Sequence, residues 1–250
     1  MPTDKPGPID RIDRIDLESY VRQMVDEIES DDDSSYEAVP TDAERRSAPS
    51  GAGPIDAPAA RVDHPVEAAV REILRVIGED PSREGLLRTP ERMHKMWLEL
   101  TCGYHVDPDR LINNAVFDVG YSEMVVVKAI PFYSLCEHHM LPFFGRASVG
   151  YLPRGRVIGL SKIPRVVEMY ARRLQVQERM TQQIADFLQT RLNPYGVGVV
   201  IEAEHLCLAM RGVQKGGAAM VTSSVLGAFR SSKETRDEFM AHLERSLPRA

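Results

Sequence analysis

The chain has 250 residues, 43% hydrophobic and 27% charged, the proportions of a soluble globular protein long enough to bury a full core. No run approaches the roughly 18 apolar residues of a membrane span, and Met1-Pro2-Thr3-Asp4-Lys5-Pro6 lacks an apolar secretory core, so neither a membrane protein nor an exported one is expected. The net charge of −6 is concentrated before residue 65, where acidic side chains well outnumber basic ones, and the slightly basic remainder lacks the concentrated patch expected of a nucleic-acid binder.

Residues 1–64 hold seven of the 17 prolines, with Asp31-Asp32-Asp33-Ser34-Ser35 and Ala48-Pro49-Ser50-Gly51-Ala52-Gly53-Pro54. This composition buries too little apolar surface to offset chain entropy, and a disordered segment is expected. Leu17, Val21, Met24 and Ile28 share one helical face, which predicts a solvated, fluctuating helix. Asp63 is placed to cap the next helix and Pro65 to open it. Val66, Ala69, Val70, Ile73, Leu74 and Ile77 form its apolar stripe, ended by Gly78. Thr89-Pro90 starts a second helix, to about Leu100, with Met93, Met96 and Trp97 inward and Gly103 beyond. The two read as an antiparallel pair within a helical part spanning 65–120.

From Glu123 the pattern turns to strand. Met124-Val125-Val126-Val127 and Ala129-Ile130 lead into Cys136, and Arg146 to Leu152 forms a second strand. Helices follow over 162–173 and 177–192, the latter stopped by Asn193-Pro194. Val197 to Met210 and Met220 to Phe229 are further strands, and Ser232 to Leu247 a final helix. The order β-β-α-α-β-β predicts an α+β domain over 121–250, with a four-stranded antiparallel sheet and helices on one face. Uncovered strand edges are liabilities, so association through the sheet is expected.

Ser134-Leu135-Cys136-Glu137-His138-His139 places a thiol and two imidazoles within four residues, and His205-Leu206-Cys207 adds another pair. Cys136 and His139 have the spacing of a tight turn aimed at one point. His205 and Cys207 would share one face of a strand. Thiolate and neutral imidazole are the usual zinc ligands. A lone Cys or His is more often a small core residue or a satisfied polar group, but here two of the three cysteines lie within three positions of a histidine. If Cys136, His139 and Cys207 ligate, His138 and His205 remain as proton carriers beside an open site. If His205 also ligates, the site is closed and structural. Spacing leaves both open. The third thiol, Cys102, is expected to be a buried small side chain. So few cysteines, two of them in the cluster, point to a reducing cytoplasm rather than a disulfide framework.

Ser161-Lys162-Ile163-Pro164-Arg165 opens a helix, and Arg211 follows Cys207 by four. Lysine and arginine at a helix N-terminus suit phosphate, although a solvated basic face is the plainer account. Gln177-Glu178 begins the next helix. A carboxylate there can accept paired donors from a guanine-like edge, or serve only to favour the helix dipole.

These stretches carry a resemblance. Ser134 to His139, Val157-Ile158-Gly159-Leu160-Ser161-Lys162-Ile163-Pro164-Arg165, Gln175-Val176-Gln177-Glu178-Arg179-Met180-Thr181-Gln182-Gln183 and His205-Leu206-Cys207 through Met210-Arg211-Gly212-Val213-Gln214 closely resemble the GTP cyclohydrolase I family. Thr89-Pro90-Glu91-Arg92 and Thr235-Arg236-Asp237-Glu238-Phe239 extend the likeness from about residue 65 to the C-terminus. It implies a tunnelling fold (T-fold), assembled as a toroidal homodecamer with sites between subunits. It implies one zinc per chain, on Cys136, His139 and Cys207. It also implies hydrolytic opening of the guanine imidazole ring of GTP to give 7,8-dihydroneopterin triphosphate and formate. In that reading His205 and His138 move protons, Ser161 takes part at the ribose, and Glu178 with Gln177 holds the guanine. Lys162, Arg165, Arg211 and a neighbour's Arg92 clamp the triphosphate. Gly216-Gly217-Ala218-Ala219 departs from the bulkier or polar residues of relatives, and segment 1–64 lies outside the likeness. A nitrile reductase of deazaguanine metabolism, which needs a cysteine nucleophile and no zinc, is disfavoured by the paired Cys/His clusters. A structural zinc protein or inactive regulatory subunit is disfavoured by the filled motif positions.

Overall fold

The computed structural model describes residues 11–29, 64–112 and 115–244. They fall into two compact units, divided between Leu98 and Glu99, with the N-terminal helix belonging to the larger. In the smaller unit, α2 (Pro65–Val76) buries Val70 and Leu74. Its N-cap is His64, whose Nδ1 accepts the Val66 N–H at 3.3 Å, one residue later than the expected Asp63, which lies outside the described residues. The His64 ring stacks on His94 of α3 (Thr89–Thr101) at 3.8 Å. His94 Nδ1 lies 3.6 Å from the Glu67 carboxylate. Among the described residues no helix is long and apolar enough to cross a membrane.

The helix expected to fluctuate is α1 (Arg11–Glu29), and the structure corrects that expectation: it is docked. Val25 and Ile28 are buried, with Val21 and Met24 packed against the same core. The buried Glu29 carboxylate accepts the Asp107 N–H at 2.8 Å, at the entry to α4 (Pro108–Ile112), and lies 3.1 Å from Arg110 Nε. Four apolar residues on one helical stripe thus find a surface to cover, which composition averaged over 64 residues conceals. The rest of that acidic segment lies outside the described residues.

The larger unit is built on a five-stranded sheet in the order β5-β2-β3-β6-β7. Strands β2 (Val125–Cys136), β3 (Pro142–Leu152), β6 (Gly196–His205) and β7 (Ala219–Gly227) form the expected antiparallel set. The fifth, β5 (Leu174–Gln175), is an addition that pairs parallel to the end of β2. A separate two-stranded sheet joins β1 (Val116–Asp118) to β4 (Arg156–Ile158). Helices α5 (Lys162–Ala171) and α6 (Gln177–Leu192) cover one face, and α6 ends at Asn193 in the left-handed region before Pro194. Facing them, Ala147, Val149, Tyr151, Val197, Val199 and Ile201 are fully buried, at the period of two expected of a strand with one covered face.

Helices are not confined to that face. The cross-strand partners Gly150 and Gly198 point the other way. A Cβ on either would come 2.7 Å or 2.6 Å from the rings of Phe239 and Phe229 respectively. Those rings belong to α8 (Ala228–Ser231) and α9 (Lys233–Glu244), which therefore pack on the second face through two missing side chains.

Candidate metal and substrate site

Cys136 is the last residue of β2 and is buried. The chain reverses at once: the Met140 N–H donates to Cys136 O at 2.7 Å, the Cys136 N–H donates to Leu141 O at 2.9 Å, and Met140 adopts φ +54°. This tight turn brings His139 back over Cys136, as the spacing predicted. Cys207 arrives differently from the expectation. Strand β6 ends at His205, and Cys207 lies on the single helical turn α7 (Leu206–Ala209), so the two do not share a strand face. The turn carries the Cys207 sulfur toward the first cluster. The ligand atoms of Cys136, His139 and Cys207 all lie within 4.8 Å of one another. Two sulfurs and an imidazole nitrogen at this separation fit a zinc-type ion. Burial and the neighbouring Cys136 push the Cys207 thiol above its ordinary pKa, while Arg211 nearby pulls it down. A bound cation reverses such an effect by holding the thiolate.

His138 and His205 are not in that group of three. His138 is exposed, with Nδ1 3.9 Å from the Cys136 sulfur. His205 ends the core-facing row of β6 and stacks almost parallel on its cross-strand partner Phe143, centroids 4.6 Å apart. Its Nε2 lies 2.7 Å from Gln177 Oε1. Burial lowers the His205 pKa, with the Glu178 carboxylate acting in the opposite sense.

Gln177 is fully buried, and its amide nitrogen reaches Ile201 O at 3.1 Å, Met220 O at 2.9 Å and Thr222 Oγ1 at 3.1 Å. Its side chain is thus engaged within the protein on both ends, with His205 on the oxygen side. Glu178, exposed on the first turn of α6, remains open to a ligand. Ser161 is exposed at the N-cap of α5 and makes no capping bond. Lys162 is fully buried and Arg165 half-buried on the same helix, which packs against β2. Arg211 is exposed in the loop after α7. Arg92 is exposed on the first turn of α3, in the smaller unit.

Several participants escaped sequence reasoning. Glu137, inside the ligand turn, is paired with Arg179 of α6, which holds its carboxyl below the usual range, and Arg179 Nε also donates to Gln175 Oε1 at 3.2 Å. Phe143, Thr181 and Thr222 hold the His205–Gln177 pair. Only Thr181, four residues after Gln177 on one helix face, left a trace in local spacing.

The fold and site define an α+β protein with a candidate Cys-His-Cys metal centre at the junction of sheet and helix. Residues 66–244 match the family model described as GTP cyclohydrolase I. The chain is 58% identical over 180 residues to GTP cyclohydrolase 1 of Synechococcus sp. (strain JA-3-3Ab), covering 72% of this chain and 79% of that protein. It is 60% identical over 172 residues to the enzyme of the same name from Chlorobaculum tepidum, covering 69% and 77%. With that from Methylococcus capsulatus it shares 57% over 175 residues, covering 70% and 95%. The chain belongs to the GTP cyclohydrolase I family.

Proposed function

We propose that the chain is a GTP cyclohydrolase I, which hydrolytically opens the guanine imidazole ring of GTP and yields 7,8-dihydroneopterin triphosphate and formate, the entry to tetrahydrofolate and pterin synthesis. The observation that carries this reading is the convergence of Cys136, His139 and Cys207, with His205 held apart from them by Gln177. One zinc per chain on those three ligands would supply the acidity that makes water nucleophilic near neutral pH. His205, its ring plane set by Phe143 and one edge by Gln177, donates a proton to guanine N7. His138 carries protons on the solvent side. The Glu178 carboxylate accepts the guanine's amino edge. Ser161 acts at the ribose when it opens. Lys162, Arg165 and Arg211, with Arg92 from a neighbouring subunit, hold the triphosphate. Gln177 stands beside Glu178 at the guanine and bonds His205 through its amide oxygen.

The finer architecture belongs to the same proposal: a T-fold closed into a toroidal homodecamer through the sheet edges, working in the cytoplasm. The nine-residue edge strand β7, with an exposed outer face, supports it. The reading is tested by incubating purified protein with GTP and following pterin fluorescence and formate together, with sedimentation mass on the same sample. Formate and pterin in equal amounts, at a mass near ten times the 28.0 kDa chain, are expected. Zinc-loaded protein that leaves GTP intact would overturn it.

A further inference from the structure

The proposed reaction needs C8 of the guanine at the three ligands while its amino edge rests on Glu178, and the base between them is rigid. These anchors belong to different elements. Cys136 and His139 lie at the end of β2 and in the turn after it, and Glu178 lies on the first turn of α6. Backbone pairing joins the two regions as far as Glu137: β5 sets Leu174 and Gln175 beside Leu135 and Cys136, and the Glu137 N–H donates to Gln175 O at 3.0 Å. From there the turn closes on itself through Cys136 O, which accepts the N–H groups of His139 and Met140. A side chain crosses back to α6. Arg179, the residue after Glu178, pairs with the carboxylate of Glu137, which stands in the chain between the two ligands. The same guanidinium donates from Nε to Gln175 Oε1 at 3.2 Å and from Nη2 to Leu174 O at 3.3 Å. Gln175 is buried, and its amide nitrogen donates to Tyr170 O at 3.0 Å and to Gln183 Oε1 at 2.9 Å. A carbonyl oxygen only accepts, so this orientation of the Gln175 amide turns its oxygen to Arg179.

We infer that Arg179 is a positioning residue for the reaction: its guanidinium fastens Glu137, and with it the ligand turn, to the first turn of α6, so that the Cys136–His139 pair and Glu178 keep the separation the guanine requires. The inference rests on the proposed roles of Glu178 and of the three ligands. Glu178 and Arg179 are consecutive, so any shift of the ligand turn relative to α6 is felt one residue from the carboxylate that holds the base. The guanidinium spreads its donors over Nε and Nη2 and can face two segments at once, where a lysine offers a single nitrogen. Arg179 and Glu137 are 44% and 34% exposed, and a pair so exposed adds little to global stability. Its effect is geometric and local. A misplacement on the order of 1 Å at reacting groups can cost about 10²-fold in rate.

The test uses zinc-loaded full-length protein carrying Arg179→Met, which keeps the stem and removes the guanidinium, Glu137→Met, which keeps the length and removes the acceptor, or both. Each single variant should lower kcat by about 10-fold, a fraction of that geometric cost. KM for GTP should stay within roughly 2-fold, because the groups that bind the ground state are unchanged. Zinc should be held about 10-fold more weakly in competition with a chelator, as when an outer partner of a metal site is removed. The thermal midpoint should move by no more than about 2–4 °C. The double variant should be no worse than Arg179→Met alone, since both changes break one contact. A merely structural role would instead lower the midpoint and leave kcat and the zinc affinity of the folded protein where they were. Should Arg179→Met fail to assemble, Glu137→Met carries the same readouts. Undiminished kcat, unchanged zinc affinity, or losses that add in the double variant overturn the inference. If wild type does not turn over GTP at all, the functional reading fails, while the zinc competition still decides whether the pair holds the ligand turn.

Discussion

Removing single side chains separates the two kinds of residue at the centre. Cys136 and Cys207 are placed to hold the ion, so Cys136→Ala or Cys207→Ala should lose zinc and turnover together, read by metal analysis and GTP assay on one preparation. His205 faces Gln177 instead. His205→Ala should keep zinc and the folded assembly while turnover falls ~10²–10⁴-fold, the usual contribution of a positioned proton carrier. Zinc lost along with activity would make His205 a ligand. The distinction was open in the sequence because His205 and Cys207 are two residues apart. In the structure the strand stops at His205 and a helical turn begins, so the second side chain swings away from the first.

At the scale of elements, two dockings invite measurement. Strands β3 and β6 accept α8 and α9 through Gly150 and Gly198, where a methyl group would meet aromatic carbons. Gly198→Ala should therefore destabilise the protein by about 1–3 kcal/mol, as overpacking does, measured by urea unfolding. Helix α1 covers the other side of the same unit. A chain truncated to residue 64 should be less stable than the whole by about 2 kcal/mol, from the lost burial of Val25 and Ile28 less the entropy of ordering the helix. Equal stability would show that α1 adds nothing. What the sequence made legible follows from distance along the chain. The Cys136–His139 turn, the stop at Asn193 and the alternation in β3 and β6 are local patterns, and each could be seen. The docking of α1 near Asp107, the seating of Phe229 and Phe239, and the Gln177–Thr222 bond join residues far apart, and no local period encodes them. Strand β5, only two residues long, is too short to leave any period at all.

For the molecule as a whole, the unequal anchoring of the ligands has a consequence. Cys136 is seated in the sheet, bonded through its own N–H and through that of Glu137 to Gln175 O at 3.0 Å. Cys207 rides on a four-residue turn, followed by a stretch from Met210 to Ala218 that is exposed throughout. That stretch is tied back by few bonds, among them Gly217 N to Glu204 Oε1 at 3.1 Å and Lys215 N to Leu208 O at 3.3 Å. An ion shared between the two would act as a rivet, fastening a loosely held flap that carries Arg211 to a rigid frame. Chelation should then be felt unevenly. In hydrogen–deuterium exchange, amides of residues 206–218 should open to solvent when zinc is withdrawn, while those of β3 and β6 keep their protection, because local opening follows the stability of each segment rather than that of the whole. Uniform loss of protection would mean that the metal holds the entire fold. Confined to the flap, it would make the metal a gatekeeper of the arm that carries Arg211, so that the metal-free protein stays folded and ready to be reloaded.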